Sequence, residues 1–523
     1  MWGTRRAPVL QWRSCHVSVS TTLSSSARKP LKLYVIAGEA SGDAIGAKVV
    51  RALQRQQPSR ALAVRGIGGP QLCAAGEFTS LFPMHELSYM GLVEIVPHLW
   101  RFRRRIRDTL RDIHQFQPEL VLTIDSKGFA FRVLNALHVD ERTTGHTRSK
   151  KVHYVAPSVW AYKHRDERDV AKLRQLLDAL FTILPFEENI FDARESNERL
   201  ASGDCDKLSR RSWCHFVGHP AVEDFLEATG AYDSDQRCLV PQDNCVLSGK
   251  VATGPDALLD MGNYDGTLLS KGGQQFQRLA AMGREPRARA RARQQFGVPV
   301  DAFVICALVG SRVNEVERVC RLVLDAVKQF QQATDVQRDQ QQQIYVVFPT
   351  LSVVAEQVNA HICACDHDIT CRVLTDLDAA TRLQLFQSAD AAVAVSGTIV
   401  LETTLAGLPT VVIYRANWLT ERIVQWLAAV RFVSVPNLLL GRMLIPELLF
   451  KHCTAPKIAD ALTLLQRDPD KQKDALELAM VASTLTRWQE PDEAIATSSL
   501  RPIRASDLAA KSILDILAEK EAH

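Results

Sequence analysis

The stretch from Asp390 to Arg415, DAAVAVSGTIVLETTLAGLPTVVIYR, constrains the fold of this chain more than any other. An apolar run from Ala391 to Val395 meets a small-residue turn, Ser396-Gly397-Thr398. A helix from Ile399 to Ala406 follows, then a second apolar run from Thr410 to Tyr414. Gly407 stops the helix and Pro409 prevents it from continuing. A strand, helix, strand unit of this kind puts its turn at the carboxyl end of the first strand, where open α/β sheets hold their ligands. A helix starting at Thr398 presents backbone N–H groups to an anion, and Glu402 lies on the same face one turn further in. Phosphate first and a carboxylate for ribose hydroxyls second is an order that suits a nucleotide diphosphate. An ordinary βαβ unit reads the same way, so the rest of the chain must decide.

With 523 residues the chain has room for two or three domains, and 46% apolar with 23% charged residues is a globular balance. The sequence contains no uncharged apolar run of about 18 residues, which excludes an evident membrane span. Twelve cysteines without a CxxC pair suggest reduced, packed thiols and an intracellular compartment. The net charge of +4 comes from the leader: residues 1–29 hold Arg5, Arg6, Arg13, Arg28 and Lys29 and no acid, so +4 less 5 leaves −1 for the remainder. That segment is also rich in Ser and Thr, as transit peptides are. Without it there is no basic balance to suggest nucleic acid.

In chain order, the strand Leu31 to Ala37 runs into GEASGD (Gly38 to Asp43) and a helix with Ile45, Val49 and Leu53 on one face. Glycines there let backbone N–H groups approach a phosphate or sugar. The motif is neither GxGxxG nor a Walker loop, and Ser41 has the wrong spacing for a hydrolase elbow. GIGGP follows at Gly66 to Pro70. From Met90 to Ile113, Leu92, Val93, Ile95, Val96, Leu99, Trp100 and Phe102 adjoin Arg101 and Arg103 to Arg105. That is either an edge for a bilayer with anionic head groups or a core helix with a solvated face. The strand Glu119 to Ile124 delivers Asp125 to a carboxyl edge, as a general base or as a turn cap. VHYVAP leads to SVWAYKHR, whose aromatics and cations suit a sugar ring and a phosphate. FTILPFE and CHFVGHP complete a first doubly wound domain.

Ala228 to Arg284 reads as an insertion or long surface loop, and Arg287, Arg289, Arg291 and Arg293 as a solvated helix. The second domain opens with the strand Ala302 to Val309, the turn Gly310-Ser311-Arg312, and a helix with Val316, Val319, Val323, Val327 and Phe330 on one face. Arg312 at such a mouth suits a diphosphate. Ile344 to Pro349 and Thr370 to Thr375 add strands. His361, Cys363, Cys365 and His367 match no standard zinc spacing, and DxD recurs in unrelated contexts, so no metal site is expected. Asn437 either reads a uracil edge or caps a turn. A helix from Ala505 to Lys520 closes the chain.

Eleven motifs then make a specific pattern: AGEASGD, GIGGP, MGLVEI, IDSKGF, HYVAPSVWAYK, LPFE, FVGHP, VGSRVNEVE, AVSGTIVLE, VVIYR and VSVPNLLLGR. Their identity and order resemble the lipid-A-disaccharide synthase family from about Leu31 to Leu449. The resemblance implies the GT-B fold, two Rossmann-like doubly wound domains facing across a cleft. The expected organisation is a transit peptide at 1–29, an acceptor and membrane-facing domain at 30–227, an insertion and linker at 228–295, a UDP-sugar domain at 296–490, and a tail with a helix at 491–523.

The resemblance further implies an inverting, metal-independent transferase without a cofactor. It would join UDP-2,3-diacylglucosamine to 2,3-diacylglucosamine 1-phosphate (lipid X), giving the β-1,6 disaccharide 1-phosphate and UDP. Asp125 would be general base on the acceptor 6-hydroxyl, and Glu39, Ser41, Gly42 and Asp43 would arrange the acceptor. Arg312, beside Ser311, would bind the diphosphate; Ser396, Gly397 and Thr398 its oxygens; Glu402 the ribose; Asn437 the uridine. Acylated substrates imply a peripheral membrane surface near Trp100, and the leader a mitochondrion or plastid, at the inner membrane if mitochondrial. A homodimer is left open, and no nucleic acid partner is expected. Val309 replaces a usual proline, and Gly128 a second carboxylate. A UDP-sugar epimerase and a non-catalytic nucleotide-binding regulator are the rival readings.

Overall fold

Apolar runs such as LKLYVIA and LVLTI have no polar face, so they suit strands covered on both sides. The computed structural model describes residues 29–88, 99–144, 149–161, 167–192, 212–232, 245–246, 266–335, 343–365, 369–416, 421–422, 430–467, 471–489 and 501–522. The first sheet holds β1 (Leu31–Ala37), β2 (Leu62–Ile67), β3 (Leu120–Ile124), β4 (Lys150–Tyr154), β5 (Ala179–Thr182) and β6 (Cys214–Phe216). Its order is β2-β1-β3-β4-β5-β6, all parallel. Leu33, Val35 and Ala37 of β1 join Leu122 and Ile124 of β3 in one core, while Tyr34 and Ile36 join Val121 on the opposite face. Helices cover both.

After the two-residue β7 (Cys245–Val246), the second sheet holds β8 (Phe303–Leu308), β9 (Ile344–Thr350), β10 (Thr370–Thr375), β11 (Ala391–Val395), β12 (Thr410–Tyr414) and β13 (Glu447–Leu449). Its order, β10-β9-β8-β11-β12-β13, is again parallel throughout. In each sheet the strand order reverses beside the first strand, between β1 and β3 and between β8 and β11. An open sheet has its crevice at such a switch point, because neighbouring crossovers leave in opposite directions. One core cluster combines Leu184, Phe186, Val222 and Phe225 of the first domain with Val304, Leu308, Val400 and Leu438 of the second.

The stretch 228–284 contains more order than its glycines suggested. Gly266–Gly283 is an 18-residue helix. Its Phe276 is buried and stacks on Phe225 at 5.9 Å and edge-on to Trp488 at 6.0 Å. Glycine lowers helix propensity, and tertiary packing has overridden it. The arginine-rich helix Pro286–Gln295 also departs from expectation, because Arg287 and Arg291 are exposed whereas Arg293 is buried. Arg293 donates to Asp390 Oδ2 at 2.7 Å and, through Nε, to the Ser388 carbonyl at 3.0 Å, and Arg289 also grips Asp390. Asp390 accepts the Val304 N–H at 2.8 Å too, which pins the start of β11 to β8.

The chain ends on the first domain. Helix Ala505–Ala522 puts Ala509, Ala510, Ile513 and Leu517 into the core with Val49 and Leu53. Asp507 pairs with Arg55 at 2.7 Å, and Ser506 donates to the buried Glu223. Three-stranded pairing of β14 (Arg487–Gln489) with β15 (Arg501–Ile503) and β7 precedes it.

The helix Leu99–Phe116 lies over the opposite face of the first sheet. Asp112, nearly buried, accepts from Tyr34 Oη at 2.9 Å and pairs with Arg65 at 2.9 Å. Of the two alternatives for Phe102, a bilayer edge or a helix face in the core, it takes the second. It packs at 5.6 Å against Phe129 and lies 4.8 Å beneath the Arg132 guanidinium. Trp100 is 81% exposed. Residues 89–98, which carry Leu92, Val93, Ile95 and Val96, lie outside the described residues. Among the described residues no helix is long and apolar enough to cross a membrane.

Candidate functional site

Both switch points carry residues expected from the sequence. In the first domain, β1 ends in Gly38 and Glu39, and the helix Ala40–Gln56 begins at once, with the Asp43 N–H donating to the Glu39 carbonyl at 2.9 Å. Next to it β3 ends in Asp125 and Ser126, both with left-handed backbone, φ +49° and +47°. Val155, which follows β4, has φ +72°. Such conformations cost of order 1–3 kcal/mol each for non-glycine residues and persist only where the surroundings over-determine them. The surroundings do so here: the Asp125 N–H bonds the Tyr154 carbonyl at 3.0 Å, and the Val155 N–H bonds Phe181 at 3.0 Å. A Cβ on Gly38 would come within 2.3 Å of Ser126 Oγ, so this turn requires glycine.

In the second domain β8 is followed, after Val309, by Gly310, φ +101°, then Ser311 and Arg312. Glu315 Oε2 accepts the Ser311 N–H at 3.0 Å, and Glu315 Oε1 lies 3.6 Å from Arg312. Arg312 reaches across the cleft and donates to Glu39 Oε1 at 2.8 Å, joining residues 273 positions apart. Glu39, Asp125, Glu315 and Arg312 therefore share one small volume. Burial pushes the Glu39 carboxyl above its usual range; Arg312 opposes that, while Asp125 and Glu315 add to it. Burial alone would lower the Arg312 guanidinium, but Glu39 and Glu315 more than offset it and its affinity for the proton rises.

Beside β8, β11 ends in Ser396 and the exposed Gly397 and Thr398, and the helix runs Thr398–Leu405. Gly397 has extended backbone and forms no side-chain cap, and a Cβ there would meet nothing within 4 Å. The turn is open to an approaching group. Glu402, one turn in, pairs with Arg382 Nε at 2.6 Å. Burial pushes this carboxyl up and Arg382 holds it down. Asp224 of the first domain's helix Pro220–Ala228 also acts on it, so this edge too faces the other domain.

Two expected ligand contacts are committed elsewhere. Asp43 is buried and accepts the N–H groups of Gly69 at 2.8 Å, Gln71 at 2.9 Å and Leu72 at 3.0 Å. It caps the helix Pro70–Ala75 that opens at the proline of GIGGP, so three of its four lone pairs are spent on backbone N–H groups. Ser41 is exposed and Gly42 is buried beneath it. Asn437 is fully buried as well. Its Nδ2 donates to the Ile445 carbonyl at 2.7 Å and to Glu447 at 2.9 Å, while its Oδ1 accepts from Leu444 at 2.8 Å and Ile445 at 2.9 Å. A carboxamide with both donors and its acceptor satisfied is a loop clamp, not a reader of a base edge.

Three side chains at the site had no role from sequence. Arg382 and Glu315 orient Glu402 and the Arg312 loop. Glu187, in LPFE, is 2% exposed and accepts from Trp160 Nε1 at 3.0 Å and from the Leu184 N–H at 3.1 Å. Its motif was visible, but its depth was not.

Two Rossmann-like domains that meet switch point to switch point, acidic on one edge and with arginines beside carboxylates on the other, are the GT-B architecture of glycosyltransferases. A family model described as lipid-A-disaccharide synthetase matches residues 33–253 and 279–495, and the chain belongs to that family. The unmatched piece, 254–278, falls inside the insertion. A Granulibacter bethesdensis lipid-A-disaccharide synthase is 32% identical over 93% of this chain and 99% of its own length. An Arabidopsis thaliana protein named probable lipid-A-disaccharide synthase, mitochondrial, is also 32% identical, over 84% of this chain and 80% of its own. Among solved structures, a Neisseria meningitidis UDP-GlcNAc 2-epimerase bound to UDP-GlcNAc aligns over 94% of this chain and all of that one, with 11% identity and a TM-score of 0.49.

Proposed function

We infer that the chain catalyses the reaction for which its family is named, the transfer of 2,3-diacylglucosamine from UDP-2,3-diacylglucosamine to the 6-hydroxyl of lipid X. The observation that supports this most directly is the Arg312–Glu39 contact, which puts the two strand-end edges in register across the cleft. In this reading Asp125 takes the proton of the acceptor 6-hydroxyl as its oxygen attacks the anomeric carbon from the face opposite UDP. The C1–O bond to the diphosphate breaks, and its electron pair leaves with UDP. Arg312, the Ser396 hydroxyl and the N–H groups of Gly397 and Thr398 stabilise that charge, while the Ser396 N–H stays on the Ile413 carbonyl at 3.0 Å. Glu402 accepts ribose hydroxyls on the oxygen not used by Arg382. Glu39 and Ser41 orient the acceptor. Asp43 and Asn437 serve indirectly, as clamps on the GIGGP turn and on the 437–447 loop.

Donor binding must first free Arg312 from Glu39, so UDP and acceptor become coupled through that ion pair. Incubation with UDP-2,3-diacylglucosamine and lipid X should yield disaccharide 1-phosphate and UDP. An epimerised UDP-sugar, or UDP binding without product, would replace this reading with one of its rivals.

The acyl chains call for a lipid surface, and the helix Leu99–Phe116 offers one. Exposed Trp100 stands beside an open cleft of about 390 Å³ lined by Glu86, Arg101, Arg104 and Arg105. An aromatic wedge beside arginines suits the boundary of an anionic bilayer. Trp100→Ser combined with Arg101→Ser and Arg104→Ser should lower co-sedimentation with anionic vesicles, and unchanged sedimentation would remove the surface from the scheme. The basic, Ser-rich leader and the name of the plant relative together support a mitochondrial location. A fusion of residues 1–29 to a reporter tests it.

A further inference from the structure

Glu187 and Trp160 form a built contact that the transfer scheme above does not use. Trp160 lies in the turn Val159–Ala161 that follows β4, on the carboxyl edge that also carries Asp125. Its indole N–H donates to buried Glu187 Oε1, and its ring meets Phe186 edge-on at 5.0 Å. The ring is fixed on two sides and remains half-buried, against the core cluster that spans both domains. β4 pairs with β3 and the Asp125 N–H bonds the Tyr154 carbonyl at 3.0 Å, so the turn that carries Trp160 leaves the strand next to the one that delivers the proposed base, and Lys127 acts electrostatically on both Asp125 and Glu187.

A fixed aromatic face next to a hydroxyl-activating carboxylate suits a pyranose, because the apolar C–H face of the sugar stacks on the ring while its hydroxyls turn to polar groups. We propose that Trp160 is the platform for the acceptor's glucosamine ring and that Glu187 is the positioning residue that holds it. The inference rests on the reading that the acceptor occupies the first domain's edge. Glu187 acts only through the indole. Its Oε2 accepts the Leu184 N–H and the side chain is buried, so the indole, not the carboxyl, is the part that meets solvent and sugar.

The groups around Glu187 come from four elements: Trp160 N–H, the N–H groups of Ile183 and Leu184, Lys127 from the helix Lys127–Thr144, and the Cys214 thiol of β6. Burial pushes the Glu187 carboxyl up to about 7, against the pull of those N–H groups and of Lys127. The indole is therefore held by a charged acceptor above that pH and by a neutral, weaker one below it.

The test is steady-state kinetics with both substrates varied, together with lipid X titrations read by tryptophan fluorescence. Trp160→Ala should raise KM for lipid X roughly tenfold, with KM for UDP-2,3-diacylglucosamine unchanged. Glu187→Gln and Trp160→Phe should each raise it about two- to fivefold, and the double variant should cost no more than either single one. The wild-type KM for lipid X should fall as pH rises through 7, and the Glu187→Gln profile should be flat by comparison. The fluorescence change on lipid X binding should vanish in Trp160→Phe, a variant that keeps an aromatic face but removes the indole and its N–H. Additive effects, equal changes in both KM values, or a lipid X signal that survives in Trp160→Phe would overturn the proposal. If wild type binds lipid X with that signal yet forms no disaccharide, the transfer reading fails while the platform stands.

Discussion

The turn at Asp125 on one edge of the cleft and the turn at Gly397 on the other are built in opposite ways. On the first domain's edge Asp125, Ser126 and Val155 are held in left-handed backbone, Gly38 is wedged against Ser126, and carboxylates dominate. On the second domain's edge Gly397 is extended and unobstructed, and arginines accompany the carboxylates. The contrast matches what each edge is asked to do. A base must meet one hydroxyl at one distance, so strain that is over-determined by packing fixes its position. A diphosphate is large and multiply charged, so an open turn and a half-exposed guanidinium suit it better.

The comparison breaks most visibly at the base. Asp125→Asn should lower kcat about 10²- to 10⁴-fold while leaving UDP affinity within about twofold, since only the acceptor's proton loses its destination. Full turnover in that variant would empty the first edge of its assigned chemistry. On the other edge, Arg312→Ala should lower kcat/KM for the UDP-sugar about 10²- to 10³-fold and also weaken UDP, measured by calorimetry. If it affected lipid X alone, the division of labour would be reversed.

Next in size is a pH effect on stability. The Glu187 carboxyl rises from 4.5 to about 7 on folding, so the folded chain binds the extra proton more tightly than the unfolded one. Its contribution is full below about pH 4.5 and is lost as pH rises through 7. Glu187→Gln should therefore gain on wild type in urea melts as pH rises between those values, levelling at up to about 3 kcal/mol by pH 8.

Backbone space separates the edges more gently. Gly38→Ala should cost roughly 1–3 kcal/mol and reduce kcat, because Ser126 must move and Asp125 moves with it. Gly397→Ala should leave the melting temperature within a degree or two, since its Cβ enters open space. Equal losses in both would mean that the strained and open turns are not distinct. The smallest effect expected is on Glu39→Gln, which releases Arg312 and should tighten UDP only a few-fold, because the pair is half-exposed.

Much of this could be read along the chain. Alternating apolar runs and helical periods announced two parallel sheets, and residues directly after a strand must emerge at its carboxyl edge. That is why Glu39, Asp125, Arg312 and Ser396 to Thr398 stand at the switch points. Local pattern determines these positions because strand and helix periods are set by neighbours within a few residues. Burial and pairing are decided by chain segments that pattern cannot see. Arg293 looked like its exposed neighbours until Asp390 arrived from 97 residues away. Asn437 and Asp43 looked like ligand groups until neighbouring backbone groups engaged them. Glu187 was one acid in a motif until its depth gave it a shifted proton and a tryptophan to hold. Hydrogen-bond saturation and desolvation depend on what folds over a side chain, so only the tertiary structure could sort the groups that remain available for substrate from those that hold the site together.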